Sequence, residues 1–410
     1  MGLDKNFKPV IRFMAVSDIH IKNDDTVEDE RFTEALRYAY KIADSSESYK
    51  KLDAVCVIGD FANSGSEIEM TKVKKTLDAE LKDGTELIMT LASHEFNTRY
   101  GGEEEAKERF KRIFNLPLDT HKVINGFHFV AVTTTRGCRF DDPQKEFIKT
   151  ELKKAAADDG KKPIFFCQHP HLTNTVYGSI DWGEKDITYL LMDYPQIIDF
   201  SGHSHAPIND PRSVHQKHFS SFGTGTLSYF ELDEYDKISG TVPEDADQAA
   251  QFLIVEADAE NRVRVYPFDV LTGQFFPQVW KIDVPSDPST FIYTDKRYKA
   301  TEAPYFDDSA ECFANDITDS SVVLTFTQAK PAPADDYVDA YRIMIRDKKS
   351  GIIKKQLEIF SKYYLYDMPS KLSQEIGDLD GKTDYIAEIY PTGFFMTLGE
   401  KPLTTEFTTL

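Results

Sequence analysis

Five apolar runs in the first 205 residues of this chain end in side chains that can hold a metal ion, and no other feature restricts the fold so much. "AVSDIH" runs into Asp18 and His20, "VIGDFAN" into Asp60, "LASHEF" into Ser93 and His94, "FCQHP" into His169, and "FSGHSH" into His203 and His205. The runs are short and rich in β-branched and aromatic residues, which predicts strands. Amphipathic charged stretches between them, at Glu30–Asp44, Glu67–Leu81, Glu103–Phe114 and Pro143–Ala157, predict helices. Such alternation means an α/β domain. In α/β sheets ligands bind outside the carboxyl ends of the strands, so all five ends are expected to open onto one site.

The donor set narrows the chemistry. Carboxylates and imidazoles without a thiolate suit divalent Mn, Fe or Zn and disfavour a cysteine-rich zinc or copper(I) site. More ligands are offered than one tetrahedral ion can use. Two ions sharing a bridging Asp, about 3.5–4 Å apart, would use them. In "GHSH", Gly202 permits a tight turn, and two histidines at i and i+2 of an extended segment project to the same side.

The set resembles the calcineurin-like metallophosphoesterases, whose signature runs D-x-H, G-D, G-N-H-[DE], a lone H, and G-H-x-H. The matching residues are Asp18-Ile19-His20, Gly59-Asp60, Ala92-Ser93-His94-Glu95, His169 and Gly202-His203-Ser204-His205, and the likeness covers about residues 9–270. It implies a four-layer α-β-β-α sandwich with two divalent metal ions above the strand ends. Carried over, Asp18, His20 and His205 hold the first ion, His169 and His203 the second, and Asp60 bridges. A metal-bridging hydroxide would attack phosphorus. His94 would be the catalytic histidine, bonding to the phosphoryl group and protonating the leaving oxygen. Asn63 stands where an iron-zinc purple acid phosphatase carries its tyrosinate, so an Fe(III) charge-transfer site is not expected.

The third motif departs from the family. Its asparagine would give a carbonyl oxygen to the second ion, whereas Ser93 offers a shorter hydroxyl, a poor ligand while protonated. A water bonded to Ser93 could fill the gap, with weaker metal there and slower turnover expected. Among the other histidines, His121 and His128 read as surface or core residues. His171 and Tyr177 are candidates for the substrate pocket.

Beyond residue 270 the pattern changes. Residues 276–303 carry several prolines and little periodicity and are expected to be a linker between a domain over 1–275 and a third segment over 304–410. That last segment shows period-two strands such as "SVVLTFTQA" and "DYIAEIYP", which predict a smaller all-β sandwich of the immunoglobulin or fibronectin kind. It resembles a fibronectin type III domain: Leu379 and Tyr385 have the spacing of that family's leucine and corner tyrosine, and Phe326 stands where a tryptophan is common. The resemblance implies a binding or spacing module for a protein or surface partner. The "AKPAPADDYVD" loop is a candidate gate that would dock near "GHSH".

Composition sets outer limits. A formal charge of -21 with 29% charged residues argues against nucleic acid as a stable partner. No apolar run approaches the roughly 18 residues that span a bilayer, and no signal peptide is read at the N-terminus. Four cysteines show no CxxC spacing; Cys56 and Cys167 lie inside apolar runs as free buried thiols, which leans cytoplasmic, while a fibronectin-like module leans secreted or cell-surface. The expected substrate is a small phosphate ester, monoester or diester, with nucleotides among the candidates. The alternative is a catalytically impaired metal-binding protein that acts through its C-terminal module.

Overall fold

The structure is a computed structural model that describes residues 2–232, 236–332 and 336–410. Residues 333–335 of the candidate gating loop lie outside the described residues. Two compact units result: residues 1–233 with 246–294, and residues 234–245 with 295–410. Among the described residues no helix is long and apolar enough to cross a membrane.

The first unit is built on β1 (Pro9–Val16), β2 (Ala54–Ile58) and β3 (Glu86–Thr90), then β4 (Thr120–Ile124), β5 (Phe127–Ala131) and β6 (Ile164–Cys167). A two-residue pair, β7 (His171–Leu172) and β8 (Gly183–Glu184), precedes β9 (Ile197–Ser201), β10 (Val214–Gln216) and β11 (Ser220–Gly223). The set ends with β12 (Gln251–Asp258), β13 (Val263–Asp269), β14 (Gln274–Phe275) and β15 (Trp280–Ile282).

One sheet has the order β14-β13-β12-β1-β2-β3, with β15 paired to β13; the other has the order β10-β11-β9-β6-β5-β4. β1, β2 and β3 run parallel, and so do β5, β6 and β9. Parallel strands need crossovers, supplied in the first sheet by α1 (Val27–Ser45) and α2 (Glu67–Glu80). Each begins with a capping box, Thr26 with Asp29 and Ser66 with Glu69. α3 (Gly102–Phe114) adds Phe110 and Phe114 to the same core, and α4 (Asp142–Asp158) covers the second sheet through Ile148, Leu152 and Ala155.

The two sheets meet face to face through aromatic rings. Phe13 of β1 lies 5.0 Å from Phe129, 4.7 Å from Phe165 and 5.7 Å from Phe200 of the opposing sheet, all edge-on. Sandwiched between a sheet and a helical layer, these strands are buried on both faces, which is why they read as continuous apolar runs. The four layers match the expected α-β-β-α order. Part of the expected linker belongs to this unit, because β15 pairs antiparallel with β13 and Tyr293 O accepts a bond from Gln216 N.

The second unit is all β: β16 (Cys312–Asn315), β17 (Val322–Thr327), β18 (Ala340–Asp347), β19 (Ile353–Phe360), β20 (Lys371–Ile376), β21 (Asp384–Thr392) and β22 (Leu403–Thr408). They form sheets β16-β17-β20 and β19-β18-β21-β22, antiparallel throughout. Phe326, Tyr341, Ile343 and Tyr385 are among the core residues. The Tyr385 hydroxyl accepts from Asp380 N at 3.0 Å beside buried Leu379, a tyrosine corner. The segment that enters from the first unit's sequence attaches at β19, where Ile238 N donates to Glu358 O.

Candidate metal centre

Asp18 follows β1 by two residues, Asp60 follows β2 by two, Ser93 and His94 follow β3, His169 follows β6 by two and His203 follows β9 by two. The backbone turns sharply at these points. Asp18, His20, Asp60, His203 and His205 all have positive φ, between 47° and 76°. Non-glycine residues in that region are strained, and clusters of them occur at functional sites. The left-handed turns also aim His203 and His205 at two adjoining groups of donors, whereas an extended segment would have sent both to one side.

Two glycines are required by close approach. A Cβ on Gly59, at φ +71°, would stand 2.6 Å from His169 Nδ1, and one on Gly202 would stand 2.3 Å from Asp18 Oδ2.

Donor atoms converge in three groups: Asp18, His20 and His205; His20, Asp60 and His94; and Asp60, His169 and His203, each within 4.8 Å. His20 Nε2 faces His205 Nε2 at 3.0 Å, and His205 Nε2 lies 3.3 Å from Asp18 Oδ1. On the other side His169 Nε2 lies 3.0 Å from Asp60 Oδ2. The carboxylates are pinned crosswise: His203 N donates to Asp18 and His94 N to Asp60. Outer ring nitrogens are anchored too, His169 Nδ1 on Ile58 O, His205 Nδ1 on Tyr229 O and His94 Nδ1 on Asn63 O, which leaves Nε2 of each ring for other work.

The residues fit a metal. His169 is fully buried, and its Nε2, though 3.0 Å from Asp60 Oδ2, lacks the geometry of a hydrogen bond to it, and buried polar atoms are rarely left so. His20 Nδ1 is likewise buried without a hydrogen-bond partner among the described residues, while its Nε2 meets His205 Nε2. The titration pattern agrees. Burial would raise Asp60, but the charges of His169 and its neighbours reverse this and hold the carboxyl well below its ordinary range. Burial and His205 lower His20 to about 3; burial and His169 lower His203 to about 4. Ionised carboxylates and neutral imidazoles are the forms that ligate. His169 goes the other way, to about 10, because Asp60 and Asp18 outweigh its burial. That is the demand of paired carboxylates for positive charge.

Ser93 Oγ donates to Asp60 Oδ2 at 3.2 Å. Glu95, beside it, is a buried clamp that accepts from Asp60 N, Ala62 N and Ala92 N and so ties the loops after β2 and β3 together. Two pocket expectations change or narrow. His171 is 1% exposed, and its nitrogens are committed to Ser201 Oγ at 2.8 Å and Ser204 Oγ at 2.7 Å, so it braces the "GHSH" turn. Tyr177 packs its ring under the Arg212 guanidinium at 3.8 Å.

Residues that no motif marks also reach the site. Cys138 Sγ lies 3.4 Å from His203 Nε2 and bonds with Ser93; burial, then Asp60, pushes its thiol up to about 12. The Tyr229 ring lies 4.3 Å from His205, and Trp182 meets His203 edge-on at 5.3 Å. His94 also borders a polar cavity of about 570 Å³, lined by Lys22, Asn63, Arg99 and Tyr100 among others.

Residues 11–207 match the family model for calcineurin-like phosphoesterases. Among solved structures, the chain is similar to a purple acid phosphatase from yellow lupin (Lupinus luteus) seeds, 15% identical with a TM-score of 0.47, covering 67% of this chain and 53% of that one. The chain thus spans about half the length of that phosphatase. A fibronectin type III domain of human collagen XX is 22% identical with a TM-score of 0.20, covering 27% of this chain and 93% of that domain. Comparison with curated proteins found no match.

Proposed function

We propose, from the premise that residues 11–207 form a calcineurin-like phosphoesterase domain, that this chain hydrolyses a small phosphate ester, monoester or diester, at a centre for two divalent ions. The observation that carries this is Asp60, whose carboxylate belongs to donor groups on both sides of the centre, with His20 and His94 on one and with His169 and His203 on the other. Asp18, His20 and His205 would hold the first ion, and His169 and His203 the second, with Asp60 between them and Ser93 at the place of the family's asparagine. Mn, Fe and Zn all suit the donors. When bound, two such ions supply an activated water near neutral pH and neutralise charge on the phosphoryl oxygens.

The chain's own groups supply the rest. His94 is the general acid: its Nδ1 is held by Asn63 O, so the proton for the leaving oxygen departs from Nε2. The cavity that His94 borders would take the leaving group, and its lining of asparagines, Lys22, Arg99 and Tyr100 suits a polar alcohol, nucleotides included. Trp182 and Tyr229 flank the histidines and exclude water from them.

The test is hydrolysis of a chromogenic bis-aryl phosphate. Chelation should abolish it and Mn²⁺ should restore it, with two ions per chain in the active protein. Activity that survives thorough metal removal would refute the proposal. The alternative, an idle metal site on a protein that binds through its C-terminal unit, rests on Ser93. It would be favoured by a chain carrying two ions that hydrolyses no mono- or diester in a broad screen.

A further inference from the structure

The cavity beside His94 contains an arginine whose charge no carboxylate answers among the described residues. Arg99 lines it with Lys22, Asn63, Asn97 and Tyr100. Its backbone N–H bonds Asn97 Oδ1 at 2.9 Å, but its guanidinium has neither an ion pair nor a hydrogen bond among the described residues, and its nearest ring is Tyr100, with the centroid at 5.6 Å. The cations around it are occupied: Lys22 Nζ lies 2.7 Å from Glu28 Oε1, Lys72 Nζ lies 2.9 Å from Asp29 Oδ2, and Arg109 Nη2 donates to Tyr100 O at 2.8 Å. In a chain with 69 carboxylate side chains against 48 lysines and arginines, an unpaired arginine is an exception.

The carboxylates of the cavity do not serve it. Glu69 is 1% exposed and accepts from Ser64 N, Ser64 Oγ, Ser66 N and Asn23 Nδ2. Asp24 is exposed and forms no ion pair with Arg99. The backbone, in contrast, holds Arg99 in place. It sits in a single turn of 3₁₀ helix, Thr98–Tyr100, capped by the Asn97 side chain and closed by Gly101 at φ 97°, where a Cβ would stand 2.6 Å from Glu105 Cγ. Further donors open onto the same space. The Asn63 carbonyl orients His94, while its side-chain amide makes no hydrogen bond among the described residues; the Tyr100 hydroxyl accepts from Asn23 Nδ2 at 3.3 Å and keeps its own proton to give.

We infer that this cavity recognises a second anionic group, carboxylate or phosphate, on the alcohol that leaves, with Arg99 as the residue that selects it. The inference rests on the proposed phosphoester hydrolysis and names its substrate class, an ester whose leaving alcohol carries its own negative charge. A guanidinium presents paired N–H donors that match two oxygens of a carboxylate or phosphate. Hydrolysis breaks the bond from phosphorus to the alcohol oxygen, that oxygen takes the proton from His94 Nε2, and the oxygen of water joins phosphorus. The charged tail stays on the alcohol, so Arg99 holds ester and transition state alike and its effect falls on KM, not on kcat.

The experiment uses the metal-loaded full chain and esters of four alcohols of one length, ending in a methyl, carboxylate, phosphate or ammonium group, each as the phosphate monoester and as its methyl diester. kcat/KM for the carboxylate or the phosphate alcohol should exceed that for the methyl alcohol about tenfold, through KM, and the better of the two identifies the anion. Arg99→Gln should remove that excess. Equal values for anionic and methyl alcohols in the parent, an excess that survives in Arg99→Gln, or a preference for ammonium, which would give the cavity to Asp24, would overturn the inference and leave ester hydrolysis standing. Failure to hydrolyse the chromogenic bis-aryl phosphate refutes the reading of the centre instead. Calorimetric titration with the four free alcohols decides the inference whether or not any ester turns over: an anionic alcohol should bind the parent more tightly than it binds Arg99→Gln, and equal binding to both would overturn it.

Discussion

Ser93 Oγ sits 3.2 Å from Asp60 Oδ2 and also bonds with Cys138, whose sulfur touches His203 Nε2 at 3.4 Å. In the proposed centre a serine hydroxyl would stand where the family's asparagine gives a carbonyl to the second ion, with the Cys138 thiol bonded beside it. Serine and cysteine together link Asp60 to His203, two of the proposed ligands of that ion.

Ser93→Asn should accordingly tighten the second ion only when Cys138 gives way. Alone, the larger side chain competes with Cys138 for space; combined with Cys138→Ala, it can present its carbonyl. The double variant is expected to hold the second ion about tenfold more tightly than the parent and turn over faster. Competition with a chelator of known affinity, run on the parent, both single variants and the double variant, measures the coupling. Equal affinities in all four would mean that position 93 does not face the ion.

His94→Asn should lower kcat by about 10²–10⁴-fold for alkyl phosphate esters. Its backbone N–H still bonds Asp60, so metal content should not change. For a nitrophenyl ester, whose leaving group departs without a proton, the loss should be much smaller. A uniform loss across leaving groups would show that His94 positions the substrate and does not act as the acid.

The convergence of Asp18, His20, Asp60, His94, His169, His203 and His205 was legible in the sequence because each lies within a few residues of an apolar strand's end, so local pattern and spatial cluster coincide. Nothing comparable marks Cys138, Trp182 or Tyr229. They arrive through loops, and Cys138 and Tyr229 stand 65 and 24 residues from the histidines they touch, His203 and His205, distances over which periodicity carries no information. His171 shows the same limit: two residues from His169 it looks like a partner in sequence, and its place in the short β7 strand, with its ring on Ser201 and Ser204, is set by tertiary contact. Trp280–Ile282 escaped notice as a strand because its pairing with β13 is set by tertiary contact over only three residues. In the second unit period-two alternation survived, since each sheet has one face toward the core and one toward solvent.

Gly59→Ala should dislodge the second ion without touching any donor. The new methyl group would meet the His169 ring at 2.6 Å, and the backbone there has φ +71°. The conformation alone costs about 1–2 kcal/mol. Loss of about one ion per chain, with the first retained, is expected together with a lower Tm. Two retained ions at unchanged affinity would contradict the placement of His169 against β2.

Asp199, in β9, should give the folded protein an unusual dependence on pH. Burial lifts its carboxyl from 3.8 to about 7, with Gln168 Nε2 bonding one oxygen. For an acid whose folded value exceeds its unfolded one, the folded state keeps a proton that the unfolded chain has released. The contribution is therefore complete below pH 3.8, declines as pH rises, and is lost by about pH 7. Three pKa units correspond to at most about 4 kcal/mol. Asp199→Asn, which keeps shape and removes the ionisation, should unfold at higher urea than the parent at pH 8 and show a clearly smaller advantage at pH 5. Urea titrations at both values, with metal content held equal, check the sign; a parent that gains more stability than the variant between pH 8 and pH 5 is the expected pattern, and a parent that gains no more than the variant, or loses relative to it, would refute it.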